Sequence, residues 1–395
     1  MTNWSPISWQ DYSYIQVPTY SNMFELEMVV NQISNLPPLV TSGEIDKLKQ
    51  AMILAGRGEA FILQGGDCAE SFQDCRSDII MNKFKILFQM SAILLYGIRK
   101  PIICIGRIAG QYAKPRTTEW ETLNNLTLPS YRGDLINAAK FNLRARIPDP
   151  QLLLQGYSYA AMTLNFIRAL LKGDFYTSHE ALSLHYEQSL TRKSANGLWY
   201  NLSCHLPWIG MRTAFINSSH LEFMRGIQNP IGLKVGPATD LTQLPEILHT
   251  LNPHGEEGRI LLITRLGASA VNNMLPEIIH IINTNKIPVV WSCDPMHGNT
   301  EITVDGIKTR DFDKIQTELL HTINIHQCNN SHLGGVHFEL TGDNVTECVG
   351  GSSGLNANDL KQAYHSLVDP RLNYEQSLEI AIQLSRQLAR PQFAQ

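Results

Sequence analysis

The sequence predicts an α/β protein organised as a (β/α)8 barrel, and three observations carry that prediction. Short apolar runs rich in β-branched residues recur along the chain and read as fully buried parallel strands. Helical spacing fills most of the intervals between them. Several runs stop at a cation, a carboxylate or a histidine, which is how a parallel barrel presents chemistry at its strand ends.

Taken in order, residues 1–55 read as an N-terminal arm that packs on the barrel, with a turn at Pro37 and Pro38 and an amphipathic helix over 43–54. The barrel is expected over 56–395. Its first strand lies at 60–64, followed by a helix over 78–95 and a second strand over 101–106. The next stretch, with Pro129, Pro148 and Pro150, lacks a strong core pattern, so 117–175 reads as an insertion after the second strand. A third strand is placed near 179–184 and a fourth ends at 206–210. The fifth and sixth lie at 231–234 and 259–264. The seventh opens Pro-Val-Val-Trp-Ser-Cys from Pro288 and breaks at Asp294 and Pro295. The eighth covers 335–339, and a helix over 374–388 closes the chain. No Gly-rich nucleotide fingerprint follows any strand, which disfavours an open doubly wound sheet.

The chain has 395 residues, 43% hydrophobic and 17% charged, ample for one large core. A formal charge of -4 gives no nucleic-acid or membrane surface. Residues 1–10 lack a signal-peptide pattern, and no apolar run approaches the roughly 18 residues of a membrane span. Seven cysteines without a CxxC pair suggest reduced thiols and a cytoplasmic location.

Two constellations carry chemistry. Arg107, Lys234 and Arg265 sit at or just past strand ends, and Arg212 follows the fourth strand. Converging cations repel unless an anion joins them, so the set points to a phosphate or carboxylate. Each alone reads equally as a surface ion pair. Lys114 and Arg116 extend the basic surface towards a second phosphate. Cys68, His297 and Glu339 follow or end strands one, seven and eight, which are neighbours in a closed barrel, and Asp369 can add a fourth ligand. A mixed S/N/O set suits a divalent transition ion rather than Mg or Ca. Singly, Cys68 reads as a buried thiol and His297 as a satisfied core histidine. The Gly350–Gly354 run reads as a flexible loop rather than a phosphate cradle, because no Lys-Ser/Thr follows it. His205, His220, His332 and His337 are candidates for proton transfer without a nameable partner.

At these residues the chain resembles the type II 3-deoxy-D-arabino-heptulosonate 7-phosphate (DAHP) synthases. The resemblance runs from about residue 37 to 387 and rests on several blocks in one order, among them Gln-Gly-Gly-Asp-Cys-Ala-Glu from Gln64, Gly-Arg-Ile-Ala-Gly-Gln-Tyr-Ala-Lys-Pro-Arg from Gly106, Thr-Ser-His-Glu-Ala from Thr177, Lys-Val-Gly-Pro from Lys234, Asp-Pro-Met-His-Gly-Asn from Asp294 and Asp-Pro-Arg-Leu-Asn from Asp369. It implies a (β/α) barrel that condenses phosphoenolpyruvate with erythrose 4-phosphate, using a divalent metal, Mn2+ or Co2+. Carried over by position, Cys68, His297, Glu339 and Asp369 are the metal ligands. Arg107, Arg212, Lys234 and Arg265 hold phosphoenolpyruvate, with Trp208 lining the pocket, and Lys114, Arg116 and Thr117 hold the sugar phosphate. Arg107, Lys234, Arg265 and His297 are the residues expected to carry catalysis.

Three positions depart from the family pattern. Met211 stands where an acidic residue is usual, Thr117 where a serine is usual, and Val368 where many members carry a cysteine able to pair with the metal cysteine. The short N-terminal arm resembles members dedicated to secondary metabolism, such as phenazine clusters. A homo-oligomer is expected, with no nucleic-acid or membrane partner. The alternatives are a condensing enzyme for another aldehyde, or a catalytically impaired homologue acting as a partner protein.

Overall fold

Eight parallel strands close into a barrel in the computed structural model, which describes residues 4–389. They are β1 (Phe61–Gly66), β2 (Ile102–Arg107), β3 (Tyr176–Glu180), β4 (Leu206–Ile209), β5 (Ile231–Val235), β6 (Ile260–Thr264), β7 (Val290–Cys293) and β8 (Leu333–Glu339). Each strand pairs with its sequence neighbours, and β1 closes the ring on β8. One helix follows each strand on the outside: α3 (Ser77–Ile98), α4 (Gln151–Leu170), α5 (Leu184–Ser189), α6 (Ser219–Arg225), α7 (Leu244–Leu251), α8 (Val271–Thr284), α9 (Phe312–Cys328) and α10 (Tyr374–Leu388). The strands are buried along both faces, which explains why they read as continuous apolar runs rather than alternating ones.

Register decides what meets at the top of the barrel. Gly66 lies opposite Arg107 on one side and Glu339 on the other, so the last residues of β2 and β8 flank it. Gly66 has φ 146°, and a Cβ there would sit 2.7 Å from the Arg107 carbonyl oxygen. Only glycine lets the two strands approach this closely.

The lower end is closed by the arm. α1 (Met23–Ser34) and α2 (Ser42–Gly56) precede the barrel. Thr41 and Glu44 form a capping box at the start of α2. Its buried residues Leu48, Met52 and Ala55 join Ile62, Ile105, Leu261 and Ile263 in the interior core. The helix therefore plugs the barrel floor, leaving the opposite end for chemistry. The outermost residues of the two expected ranges, 1–3 and 390–395, lie outside the described residues.

Two expectations change. The third strand occupies Tyr176–Glu180 rather than 179–184. Its sequence is polar because Ser178 turns inward, accepting from Gln64 (2.9 Å) and donating to the Gly106 carbonyl (3.1 Å), while His179 turns outward to Glu187 on α5 (2.8 Å). A hydrophobicity signal misses such a strand. The segment 117–175 also divides. Residues 120–129 make a two-stranded hairpin and Leu143–Arg146 one helical turn. Gln151–Leu170 is the ordinary outer helix of the second β/α unit, burying Leu153, Ala160, Leu164 and Ile167.

By length and composition α3 is apolar enough to cross a membrane, in contrast to the reading of the sequence. Its Ile80, Phe84, Ile86, Leu87, Met90 and Leu94 are buried against the barrel and α10, which accounts for that composition.

Met52→Ala tests the floor. Losing a fully buried side chain there is expected to cost about 2–5 kcal/mol in chemical denaturation. A loss below about 1 kcal/mol would show that the arm does not belong to the barrel core.

Candidate active site

The strand ends enclose a cavity of about 220 Å3 whose lining includes six cations, Arg107, Lys114, Arg212, Lys234, Arg265 and Lys308, against three carboxyls, Glu180, Glu339 and Asp369. The surplus of positive charge in an enclosed space calls for anionic ligands.

Glu339, the fully buried last residue of β8, is the hub. Its Oε1 accepts from Arg107 Nη2 (3.0 Å) and faces His297 Nε2 (3.0 Å), while Arg310 Nη1 lies 2.7 Å from Oε2. Burial alone would raise this carboxyl, but His297, Arg310 and Arg107 hold it well below its ordinary range. Immediately after β7, Asp294 Oδ2 takes both His297 Nδ1 (2.7 Å) and Lys234 Nζ (2.9 Å). Its Oδ1 accepts the backbone N–H groups of Met296 and His297. That fixes the imidazole plane.

One oxygen or sulfur from each of Cys68, Glu339 and Asp369 lies within 4.8 Å of the others, the spacing of a metal-binding group. The Cys68 and Asp369 atoms approach to 3.6 Å. His297 falls outside that grouping but adjoins it. With its Nδ1–H donated to Asp294, its Nε2 lone pair faces a carboxylate oxygen, and two lone pairs that close need a cation or a proton between them. The donor set therefore fits a cation. The Lys114 ammonium contacts both Cys68 Sγ and Asp369 Oδ2, and Lys308 reaches Asp369 Oδ1 at 3.1 Å. Burial opposes charge on Asp369, yet Lys114 holds the carboxyl below its ordinary range. Burial, then the Glu339 carboxylate, pushes the Cys68 thiol up to about 12, so ion binding must displace its proton. All seven cysteines are free, and Val368 packs beside Cys68 and Tyr131.

Trp208 floors the other half of the cavity. Its ring faces both Arg107 (5.2 Å) and Lys234 (5.4 Å). Burial lowers the Lys234 ammonium although Asp294 pulls it up. Arg265 donates to the His297 carbonyl (2.9 Å) and touches Met211 Sδ (3.7 Å). Arg212 donates to Thr117 Oγ1 (2.9 Å). Among the described residues, neither Arg212 nor Arg265 forms a salt bridge, and the buried Nε–H groups of Arg107 and Arg265 have no partner. Unpaired buried guanidinium donors need an acceptor from a ligand.

The cavity thus collects Cys68, Arg107, Lys114, Trp208, Arg212, Lys234, Arg265, His297, Glu339 and Asp369. Arg116 and Thr117 are not in its lining. Arg116 is tied to Glu121 (2.7 Å), and Thr117 Oγ1 accepts from the cavity-lining Arg212 (2.9 Å). Several residues went unnoticed in the sequence. Glu180 lines the cavity with a buried, unpartnered Oε1, and burial raises its pKa despite Lys234 and other cations. Lys308 and Arg310 come from a hairpin, Thr300–Ile302 with Lys308–Arg310, that has no apolar signature. Only their position downstream of the His297 loop could have flagged them. His337 is the one proton-transfer candidate beside the site, in contact with Arg107 (2.7 Å). The Gly350–Gly354 run lies elsewhere, where Ser352 N donates to Glu379 on α10.

Comparisons with known proteins bear on the family and the fold. The profile of the class-II DAHP synthetase family matches residues 4–175 and 172–385. A phospho-2-dehydro-3-deoxyheptonate aldolase of Neurospora crassa is 40% identical over 448 aligned positions, covering 96% of this chain and 93% of the relative. One of Streptomyces coelicolor is 40% identical, covering 95% of each. The structure of an aldolase of the same name from Francisella tularensis superposes with a TM-score of 0.56 at 16% identity, over 92% of this chain and 96% of that one. That last likeness speaks for the fold.

The remaining histidines bear on stability instead. Burial lowers His185, His205 and His220 to about 4 and His326 to about 3. Each is neutral when folded, whereas the unfolded chain takes up the proton near pH 6.5. The unfolded state then binds more protons between about pH 4 and 6.5, so stability rises with pH across that window. His179, which Cys204 and Glu187 hold high despite burial, and the carboxyls of Glu70, Glu180 and Glu318, which burial raises, act in the opposite sense and are outnumbered once His297, His332 and His337, also lowered by burial, are counted. The melting temperature is expected to fall steadily from pH 7 to pH 5. A flat or rising melting temperature on acidification would contradict this account.

Proposed function

The chain belongs to the class-II DAHP synthetase family, and from that premise we propose which of its residues carry the family's reaction. The protein is a transferase that condenses phosphoenolpyruvate with erythrose 4-phosphate to give DAHP and inorganic phosphate, opening the shikimate pathway. The observation that carries the residue assignment is the pairing, in one cavity, of a cation-ligand set with guanidinium groups that lack carboxylate partners.

Arg107, Lys234, Arg265 and Arg212 hold the phosphate and carboxylate of phosphoenolpyruvate, with the enol lying along the Trp208 ring. Lys234 and Arg107 are anchored by Asp294 and Glu339, so they meet the ligand already oriented. Lys114 and the rim residues Arg116 and Thr117 take the sugar phosphate. Holding both substrates converts a two-body encounter into a near-attack geometry. Cys68, His297, Glu339 and Asp369 would hold a divalent ion, Mn2+ or Co2+ by the softness of the donors. When bound, it supplies Lewis acidity to the aldehyde oxygen. C3 of phosphoenolpyruvate attacks the aldehyde carbon, and water then adds at C2, one of its protons ending on the former aldehyde oxygen as a hydroxyl and the other leaving with phosphate. The tetrahedral centre collapses and expels phosphate through its C2–O bond. Glu180, whose buried Oε1 has no other partner and which lines the cavity, would take the proton of that water. Met211 gives Arg265 a thioether contact in place of an anion, leaving its charge for the substrate.

Exhaustive chelation is expected to stop phosphoenolpyruvate consumption with erythrose 4-phosphate, and Mn2+ or Co2+ to restore it. Activity that survives chelation removes the ion from the proposal. Cys68→Ala should weaken Mn2+ binding by at least about tenfold in calorimetry, with unchanged affinity counting against Cys68 as a ligand. Arg265→Ala should raise KM for phosphoenolpyruvate about 10- to 100-fold, the size of a lost charge-assisted contact. An unaltered KM would take Arg265 out of the substrate site.

A further inference from the structure

We propose that His337 is a positioning residue for Arg107, and that a hydrogen-bond relay through the barrel interior fixes which of its ring nitrogens does the work. The proposal rests on the reading of Arg107 as a phosphoenolpyruvate ligand. All three side chains of the relay are buried inside the barrel, on three different strands.

The relay has a single consistent polarity. Arg107 Nη1 lies 2.7 Å from His337 Nε2. A guanidinium has donors only, so Nε2 must accept. The ring proton therefore sits on Nδ1, which lies 2.8 Å from Gln64 Oε1. Gln64 must present its carbonyl there and its amide NH2 to Ser178 Oγ, 2.9 Å away. Ser178 then donates its own proton to the Gly106 carbonyl at 3.1 Å. Reversing the Gln64 amide would place an Nε2–H against an Arg107 N–H, two donors facing each other in a dry interior. The chain starts at Arg107, crosses β8, β1 and β3, and returns to the residue before Arg107 on β2.

This arrangement acts on Arg107 from behind. Glu339 and the Cys68 carbonyl hold Nη2, and His337 holds Nη1. The Trp208 ring covers one face of the guanidinium, and the unpartnered Nε–H is left for the substrate. Without the Nε2 lone pair, the Nη1 donor loses its buried acceptor and the guanidinium is held through Nη2 alone, which fixes its position less tightly. The edge of the His337 ring against Trp208 (5.3 Å, 85°) keeps it from turning.

The test compares phosphoenolpyruvate binding by calorimetry, and KM for each substrate, in His337→Leu, His337→Gln, Ser178→Ala and Arg107→Ala. His337→Leu is expected to weaken phosphoenolpyruvate about tenfold while moving KM for erythrose 4-phosphate less than about twofold, as fits one lost hydrogen bond to a charged donor. His337→Gln, which can return a carbonyl oxygen to the Nε2 position, should recover most of the loss. Ser178→Ala removes only one hydroxyl at the far end, so it tests the relay even if His337→Leu does not fold. It is expected to weaken phosphoenolpyruvate about threefold. Equal losses for both substrates, or no rescue by glutamine, would assign His337 a merely structural role and overturn the proposal. So would unchanged phosphoenolpyruvate affinity in both His337→Leu and Ser178→Ala alongside its loss in Arg107→Ala. Affinity retained in Arg107→Ala would instead overturn the reading of Arg107 itself.

Discussion

The architecture of the mouth depends on the Glu339 carboxylate. A charge buried from solvent at the top of a barrel persists only when other charges meet it with good geometry. Glu339 is met by Arg107 from β2, Arg310 from the hairpin beyond β7, and His297 from the turn after β7. Three segments of chain thus converge on one residue. Each is over-determined by further bonds: Arg310 to Thr300 (3.0 Å) and the Pro370 carbonyl, His297 to Asp294. The atoms proposed to hold the ion and those proposed to hold the anions are consequently placed by the same network, since Arg107 belongs to both halves.

The distribution of function follows from the way the barrel is closed. The floor is apolar, where α2 sets Leu48, Met52 and Ala55 under the interior residues. The middle is occupied by the polar belt of Gln64, Ser178 and His337. The top is charged, with more cations than carboxyls. Low dielectric beneath and around the top strengthens every charge interaction there, which is why a pair such as Lys234 and Asp294 can orient a ligand group rather than merely decorate a surface. The same burial favours the protonated form of the Cys68 thiol.

The legible part of the site consists of residues placed by strand ends. Cys68, Arg107, Lys234, Arg265, His297 and Glu339 all sit within a few residues of the end of an apolar run, so a barrel reading alone sends them to one face. Glu180 escapes that logic because β3 has almost no apolar pattern, its residues being committed to Gln64 and Glu187. Arg310 and Lys308 escape it because their hairpin is a short polar excursion. α4 was hidden among the prolines that precede it, although its buried face follows ordinary helical spacing.

What the sequence by itself determined is the alternation of buried strands and amphipathic helices, the barrel this implies, and the chemical types gathered at the strand ends. Hydrophobic periodicity and local turn residues are short-range properties, readable from neighbours in the chain. Only the tertiary structure decided the partnerships: Arg107 with His337, 230 residues apart, Gln64 with Ser178, and Glu339 with both arginines. Those depend on barrel closure and on the register across Gly66, and a buried charge acquires its orientation from whichever segments that closure brings within hydrogen-bond reach.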